Sequence, residues 1–217
     1  FRFRDYPLIM GIDSLSTPLH QAVKKLCEGP DGLYYALLFQ GGITCFDKDI
    51  EKFLPVRFDK PLELKDILDF CWNDGSLYLV TSQGLFESRI VRKTEGKHDF
   101  VLCLLNPEPV VRGKVAHLCS DGKTNLYFSV NQRKVVHYDL VAKKTSLIKE
   151  YSVVNRLFLR HGYLWICRLW DDIICYDLKT NEERVISMEG KDQSEFSNSY
   201  VTDLVLKDNR TFYLTTW

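Results

Sequence analysis

An all-β fold built from repeated four-stranded antiparallel units is what this sequence predicts, on three observations. One hairpin pattern recurs along the chain, its turns carry the residues that tight β-turns need, and its strands are aromatic and β-branched. The best helical candidate, Pro18–Cys27, mixes apolar and basic residues, and its second half, Val23–Cys27, aligns better as a strand of the repeat.

The repeat is an apolar strand, a polar turn, an aromatic-rich strand, a short turn and a third strand ending in an aromatic and an acidic residue. The first copy reads Val23–Cys27, turn Glu28–Gly32, Leu33–Phe39 and Gly42–Asp47. The second reads Ile67–Cys71, turn Asn73–Gly75, Leu77–Val80 and Gly84–Glu87. The third reads Val115–Cys119, turn Asp121–Gly122, Leu126–Val130 and Val135–Asp139. The fourth reads Val154–Phe158, turn His161–Gly162, Leu164–Cys167 and Ile173–Asp177. A fifth is incomplete, with Val201–Val205, turn Asp208–Asn209 and Phe212–Leu214. Equivalent positions Leu26, Phe70, Leu118, Leu157 and Leu204 are spaced by 44, 48, 39 and 47 residues. Each interval also holds a fourth strand candidate, at Lys52–Phe58, Phe100–Leu105, Thr145–Lys149 and Arg184–Met188.

Four strands per roughly 40–50 residues is the blade period of a β-propeller. Asp, Asn and Gly in the turns supply the positive φ of tight hairpins. The second strands are nearly continuously apolar, which suits a strand covered on both faces by stacked blades. The reading is therefore four complete blades and a partial fifth over residues 20–217, with residues 1–19 as a separate N-terminal segment that supplies a strand to a neighbouring or closing blade. Two ways of avoiding open sheet edges remain. Strands from Phe1–Ile9 complete the fifth blade, or further blades form a larger ring; the second is preferred, because a five-bladed ring is tight. Glu189–Tyr200 reads as an exposed polar connector, and Asn106–Gly113, with Pro107 and Pro109, as an extended one.

The totals narrow the function classes. Lys+Arg and Asp+Glu are both 29, so net charge offers no global argument for nucleic acid or an acidic membrane surface. No apolar run reaches the length of a membrane helix. Seven cysteines lack any CxxC or zinc spacing, and Cys27, Cys71 and Cys119 fall at one point of successive repeats. They read as small buried hydrophobes in a reducing compartment, cytoplasmic or nuclear.

The third strands end in Phe46-Asp47, Tyr138-Asp139-Leu140 and Tyr176-Asp177-Leu178, where WD40-like β-propellers carry Trp-Asp. The chain resembles that family over about residues 20–217. It departs at Phe86-Glu87 and lacks the Gly-His pair that commonly opens such repeats. The resemblance implies a rigid platform for protein partners within a larger assembly. It also implies that Asp69 and Asp203, at matching first-strand positions, hold backbone groups by hydrogen bonds.

No catalytic motif competes with this reading. GxSxG, the P-loop and GxGxxG are absent. None of His20, His98, His117, His137 and His161 has metal-ligand spacing, and each reads as a structural histidine, although His117 and His137 are placed to face each other in one repeat. Asp171-Asp172 reads as turn chemistry, since adjacent side chains of an extended segment diverge. A propeller enzyme would need inward groups from several blades, and only Asp69, His117 and Asp203 offer them. No cofactor or metal is expected.

The candidate interaction patch is Arg133, Arg168, Trp170 and Asp171, on hairpins joining second and third strands. Trp and Arg combine contact area with directional hydrogen bonds, as interface anchors do. A noncatalytic scaffold binding proteins or peptides is the leading reading. The alternative is a basic rim for RNA or DNA, which needs Arg133, Arg156, Arg160 and Arg168 to cluster, with Lys134, Lys143, Lys144 and Lys149 adding charge.

Overall fold

The computed structural model describes residues 23–39, 42–48, 51–58, 67–92, 100–169, 171–186, 201–207 and 211–216. The expectations for residues 1–19, for His20 and His98, and for the Glu189–Tyr200 connector lie outside these. Every regular element among the described residues is a β-strand. They form two compact units, Phe1–Gly113 and Lys114–Trp217.

In the first unit, β1 (Val23–Glu28), β2 (Tyr34–Leu38), β3 (Ile43–Asp47) and β4 (Lys52–Phe58) form one antiparallel set. A second set comprises β5 (Ile67–Asn73), β6 (Ser76–Thr81), β7 (Gly84–Arg92) and β8 (Phe100–Leu104). β4 serves both. Its first half pairs antiparallel with β3, from Asp47↔Lys52 to Thr44↔Pro55, and its second half pairs parallel with β8, from Val56↔Phe100 to Phe58↔Leu102. Pro55 sits at the changeover, where its missing N–H is least needed. The core joins both sets in one cluster of Tyr35, Leu37, Phe70, Leu77, Leu79 and Phe86, with Tyr35 edge-on to Trp72 at 5.1 Å.

The Asn106–Gly113 connector does more than extend. It contains a short strand, β9 (Val111–Arg112), which pairs with the start of β7. Pairing begins only past the two prolines, where Val110 can donate its N–H to the Leu85 carbonyl at 2.8 Å. Gly84 makes room: a Cβ there would lie 2.1 Å from the Val111 carbonyl oxygen.

In the second unit, β10 (Val115–Ser120), β11 (Asn125–Val130), β12 (Lys134–Asp139) and β13 (Lys144–Glu150) form one sheet. β14 (Val154–Arg160), β15 (Tyr163–Arg168), β16 (Ile173–Asp177) and β17 (Glu183–Ile186) form the next, and β18 (Val201–Leu206) pairs with β19 (Phe212–Thr216). One cluster, including Tyr127, Tyr151, Leu157 and Tyr176, unites the first sheet with the second. Another, with Trp165, Cys167, Cys175 and Leu204, unites the second with β18–β19. The sheet of β14–β17 is thus covered on both faces, which is why Leu164, Ile166 and Cys167 of β15 are all fully buried. The chain is all-β, four four-stranded blades of propeller type and a two-stranded fifth.

Local chemistry explains the recurrence. Asp74-Gly75 and His161-Gly162 take left-handed φ between the first and second strands of their repeats. Asp139 and Asp177 end their third strands by accepting turn N–H groups, from Val141 and Ala142 at 2.8 Å each and from Lys179 at 2.8 Å. Every first strand also carries a one-residue bulge, between Val23 and Lys25, Ile67 and Asp69, Ala116 and Cys119, Val154 and Arg156, and Val201 and Asp203. A bulge bends and twists a strand and re-aims the side chain that follows. Asp69 and Asp203 each accept the N–H of the next residue, Phe70 and Leu204, at 2.8 Å.

Candidate functional site

The predicted hairpins meet at one end of the second unit. Between β11 and β12, Asn131 and Gln132 make a two-residue turn at φ 53° and 57°, closed by Arg133 N–H to the Val130 carbonyl at 3.1 Å. Such turns favour Asn-Gly, because Gly carries no Cβ penalty. Gln132 holds a left-handed conformation with its side chain exposed, a strain of about 1–2 kcal/mol that glycine would not carry.

The connector from β13 to β14, residues 151–153, is held on both sides. Towards the first hairpin, Tyr151 N–H donates to the Arg133 carbonyl at 2.9 Å and Val154 N–H to the Gln132 carbonyl at 2.7 Å. Towards the β15–β16 hairpin, Leu169 N–H donates to the Val153 carbonyl at 2.8 Å and Ser152 Oγ to Asp171 Oδ2 at 3.1 Å. Asn131, Gln132, Arg133, Ser152 and Val153 remain exposed along this rim.

Of the four residues singled out from sequence, the structure places Arg168 and Asp171 in direct contact. Arg168 Nη1 lies 2.6 Å from Asp171 Oδ2, and its Nε donates to the Asp172 carbonyl at 3.0 Å. The Arg168 side chain is only 16% exposed, against 36% for Asp171. Asp171 also accepts the Asp172 N–H at 2.8 Å. The pair therefore shapes the hairpin, with the acidic group used in the turn. Arg133 lies across the connector, and its side chain is exposed. Trp170 lies outside the described residues.

Tyr151 anchors the connector from beneath. Its hydroxyl donates to Glu183 of β17, and Glu183 also takes Lys149 Nζ at 2.5 Å. Burial, then the bond to Glu183, raises the Tyr151 hydroxyl well above its ordinary value. Burial pushes Glu183 upward, but the bonds from Lys149 and Tyr151 outweigh it, so its carboxyl ends below the usual range. The repeat pattern gave no hint of this cluster, because its members come from outer strands and a connector.

The basic residues do not all gather at one end. Arg168 pairs with Val154 at one end of the β14–β15 ladder and Arg160 with Tyr163 at the other. Six residues of strand separate them along β14, roughly 20 Å. Lys134 likewise sits opposite Glu150, whereas Lys144 sits opposite Asp139 at the far end of the same pairing.

His137 binds Asn125 Oδ1 through Nε2 at 2.6 Å and Ser146 Oγ through Nδ1 at 3.2 Å, and stacks on Tyr127. It has the structural role expected of it. His117 occupies the β10 bulge at φ 55°. Among the described residues no group of three or more His, Cys, Asp and Glu is placed to hold a metal, and no helix is long and apolar enough to cross a membrane.

No protein-family model matches the chain, and no curated protein matches it in sequence. Solved structures do match in fold. The extracellular domain of a proposed one component system from B. thetaiotaomicron aligns at TM-score 0.70 and 13% identity, over 95% of this chain and 29% of that one. An auxiliary nutrient binding protein from Bacteroides thetaiotaomicron aligns at TM-score 0.61 and 16% identity, over 89% and 52%. A chain of the Mitotic Checkpoint Complex aligns at TM-score 0.61 and 16% identity, over 92% and 61%. This chain thus spans less than two thirds of each of these relatives. At such identities the likeness is one of fold, and the fold is that of propeller blades.

Proposed function

We propose that this chain is a noncatalytic interaction scaffold, a divergent WD40-like propeller segment that binds a protein or peptide along the rim of its second unit. The observation that carries the reading is the Asn131–Arg133 hairpin: a strained, exposed Gln132 beside an exposed Arg133, braced on a connector whose backbone is hydrogen-bonded on both sides. Strain kept where glycine would relieve it points to a side chain with a use. The bracing favours binding as well, since a preorganised surface has less entropy to lose. The separation of Arg160 from Arg168 favours protein over nucleic acid. The similar chain in the Mitotic Checkpoint Complex supports protein partners, by analogy of fold alone. Seven free cysteines support a reducing compartment, cytoplasm or nucleus.

The test is affinity capture with the full chain, comparing wild type, Gln132→Gly/Arg133→Ala and a control, Lys179→Ala, at the opposite end of the blade. The reading expects partners to be lost from the double variant alone. Identical capture by all three rejects the rim. Captured RNA or DNA that disappears with moderate salt would instead favour the nucleic-acid reading.

A further inference from the structure

On the sheet of β14–β17, Arg156 sits opposite Cys167 and Phe158 opposite Trp165, so the four share one face. That face packs in the cluster with Leu204 and Val201 of β18. Two hydrogen-bond donors on it are out of place. Arg156 Nε and Trp165 Nε1 are both buried, and neither has an acceptor among the described residues. Both side chains only donate, so neither can serve the other. Diagonal neighbours on a sheet face lie within reach of long side chains, so one group can approach both.

The repeat supplies a comparison. Arg156 follows the bulge of its first strand, as Lys25 does in β1. Lys25 is neutralised by Asp69, the residue at the same position one repeat on, at 2.7 Å. Asp203 is the residue one repeat on from Arg156; like Asp69 it accepts the next N–H, from Leu204, but it is exposed where Asp69 is buried. Arg156 has no ion pair among the described residues. The same position is a closed pair in the first unit and an open cation in the second.

We propose that Arg156, with the Trp165 indole, forms a binding site for a carboxylate monoanion. The ligand must accept and not donate, because both protein groups are donors. It should carry one negative charge, because Arg156 is the cation beside the two buried donors, whereas Arg160 and Arg184 share the face but are exposed, and Asp203 on the neighbouring strand opposes a second. A planar carboxylate matches the guanidinium fork in bidentate geometry and carries the single charge required. The Cys167 thiol beside Arg156 is held up to about 12 by burial, with Arg156 pulling the other way, so it adds no competing charge. This site is independent of the rim.

The test is NMR of the ¹⁵N-labelled full chain, following the Trp165 indole N–H and the Arg156 Nε–H. Acetate, its neutral isostere acetamide, and phosphate are titrated at constant ionic strength. Saturable shifts of both signals with acetate, none with acetamide and a weaker response to phosphate are expected. Arg156→Gln should weaken acetate by about tenfold or more, while Arg156→Lys, which keeps the charge and guards against a folding defect, retains a reduced response at Trp165. No saturable acetate shift in the wild type overturns the proposal, as does an unchanged response in Arg156→Gln. A thermal destabilisation by Arg156→Gln with no acetate response in the wild type also overturns it, assigning Arg156 to the fold alone.

Discussion

Lys25 and Asp69 occupy the same position of consecutive repeats and meet as an ion pair, Nζ to Oδ1 at 2.7 Å. Asp69 is the buried member, with 7% of its side chain exposed against 29% for Lys25. Its Oδ1 also accepts the Phe70 N–H at the bulge. Lys25→Met should therefore cost about 1–2 kcal/mol, discounted for the exposure of the lysine. Asp69→Ala should cost more, about 2–3 kcal/mol, because a buried N–H loses its acceptor too. Urea midpoints of the two variants should rank in that order.

Gly84→Ala should disrupt the β7–β9 pairing. Its Cβ would meet a backbone carbonyl at 2.1 Å, at φ +144°, so relief requires the connector to move. A loss of about 2–4 kcal/mol is expected, with faster amide exchange at Val110. Gly75→Ala, at φ +77° with nothing within 4 Å of its Cβ, should cost only about 1–2 kcal/mol of left-handed strain.

Acid should loosen the outer edge of the second unit first. The Glu183 carboxyl lies below its ordinary value of 4.5 in the folded chain. A depressed folded pKa contributes stability above the unfolded value, and that stability is lost as pH falls through the folded one. Stability should decline on acidification below about pH 4.5, and Glu183→Gln should flatten that decline while lowering stability at neutral pH. Thermal melts across the range measure both effects.

Gln132→Gly should stabilise the chain by about 1 kcal/mol, by releasing the left-handed strain, against the greater unfolded-state entropy of glycine. A higher melting temperature together with weaker partner capture is the signature of strain retained for binding. A stabilised variant with undiminished capture would leave Gln132 without a role at the rim.

Most of the blades were legible because their signals are local. Turn residues at Asp74-Gly75 and His161-Gly162 and the aromatic second strands define hairpins within about ten residues. The features missed depend on pairing between distant segments. β4 changes partners from β3 to β8, and β9 adds to β7, through backbone bonds that no side-chain pattern announces. The Lys25–Asp69 pair spans 44 residues, the same offset that relates Leu26 to Phe70. Opposite charges at one repeat position were therefore a readable signal. At the rim, sequence placed Arg168 and Asp171 on one hairpin but not in contact with each other, because that depends on how the turn folds back on the connector.

The central claim is that the second strand of each complete repeat is a buried inner strand of its sheet. Native-state amide hydrogen exchange tests it most directly. The account predicts four separate maxima of protection, at Tyr34–Leu38, Ser76–Thr81, Asn125–Val130 and Tyr163–Arg168, with weaker protection along the outer strand Lys144–Glu150. Protection spread evenly across each sheet, or strongest on the outer strands, would contradict it.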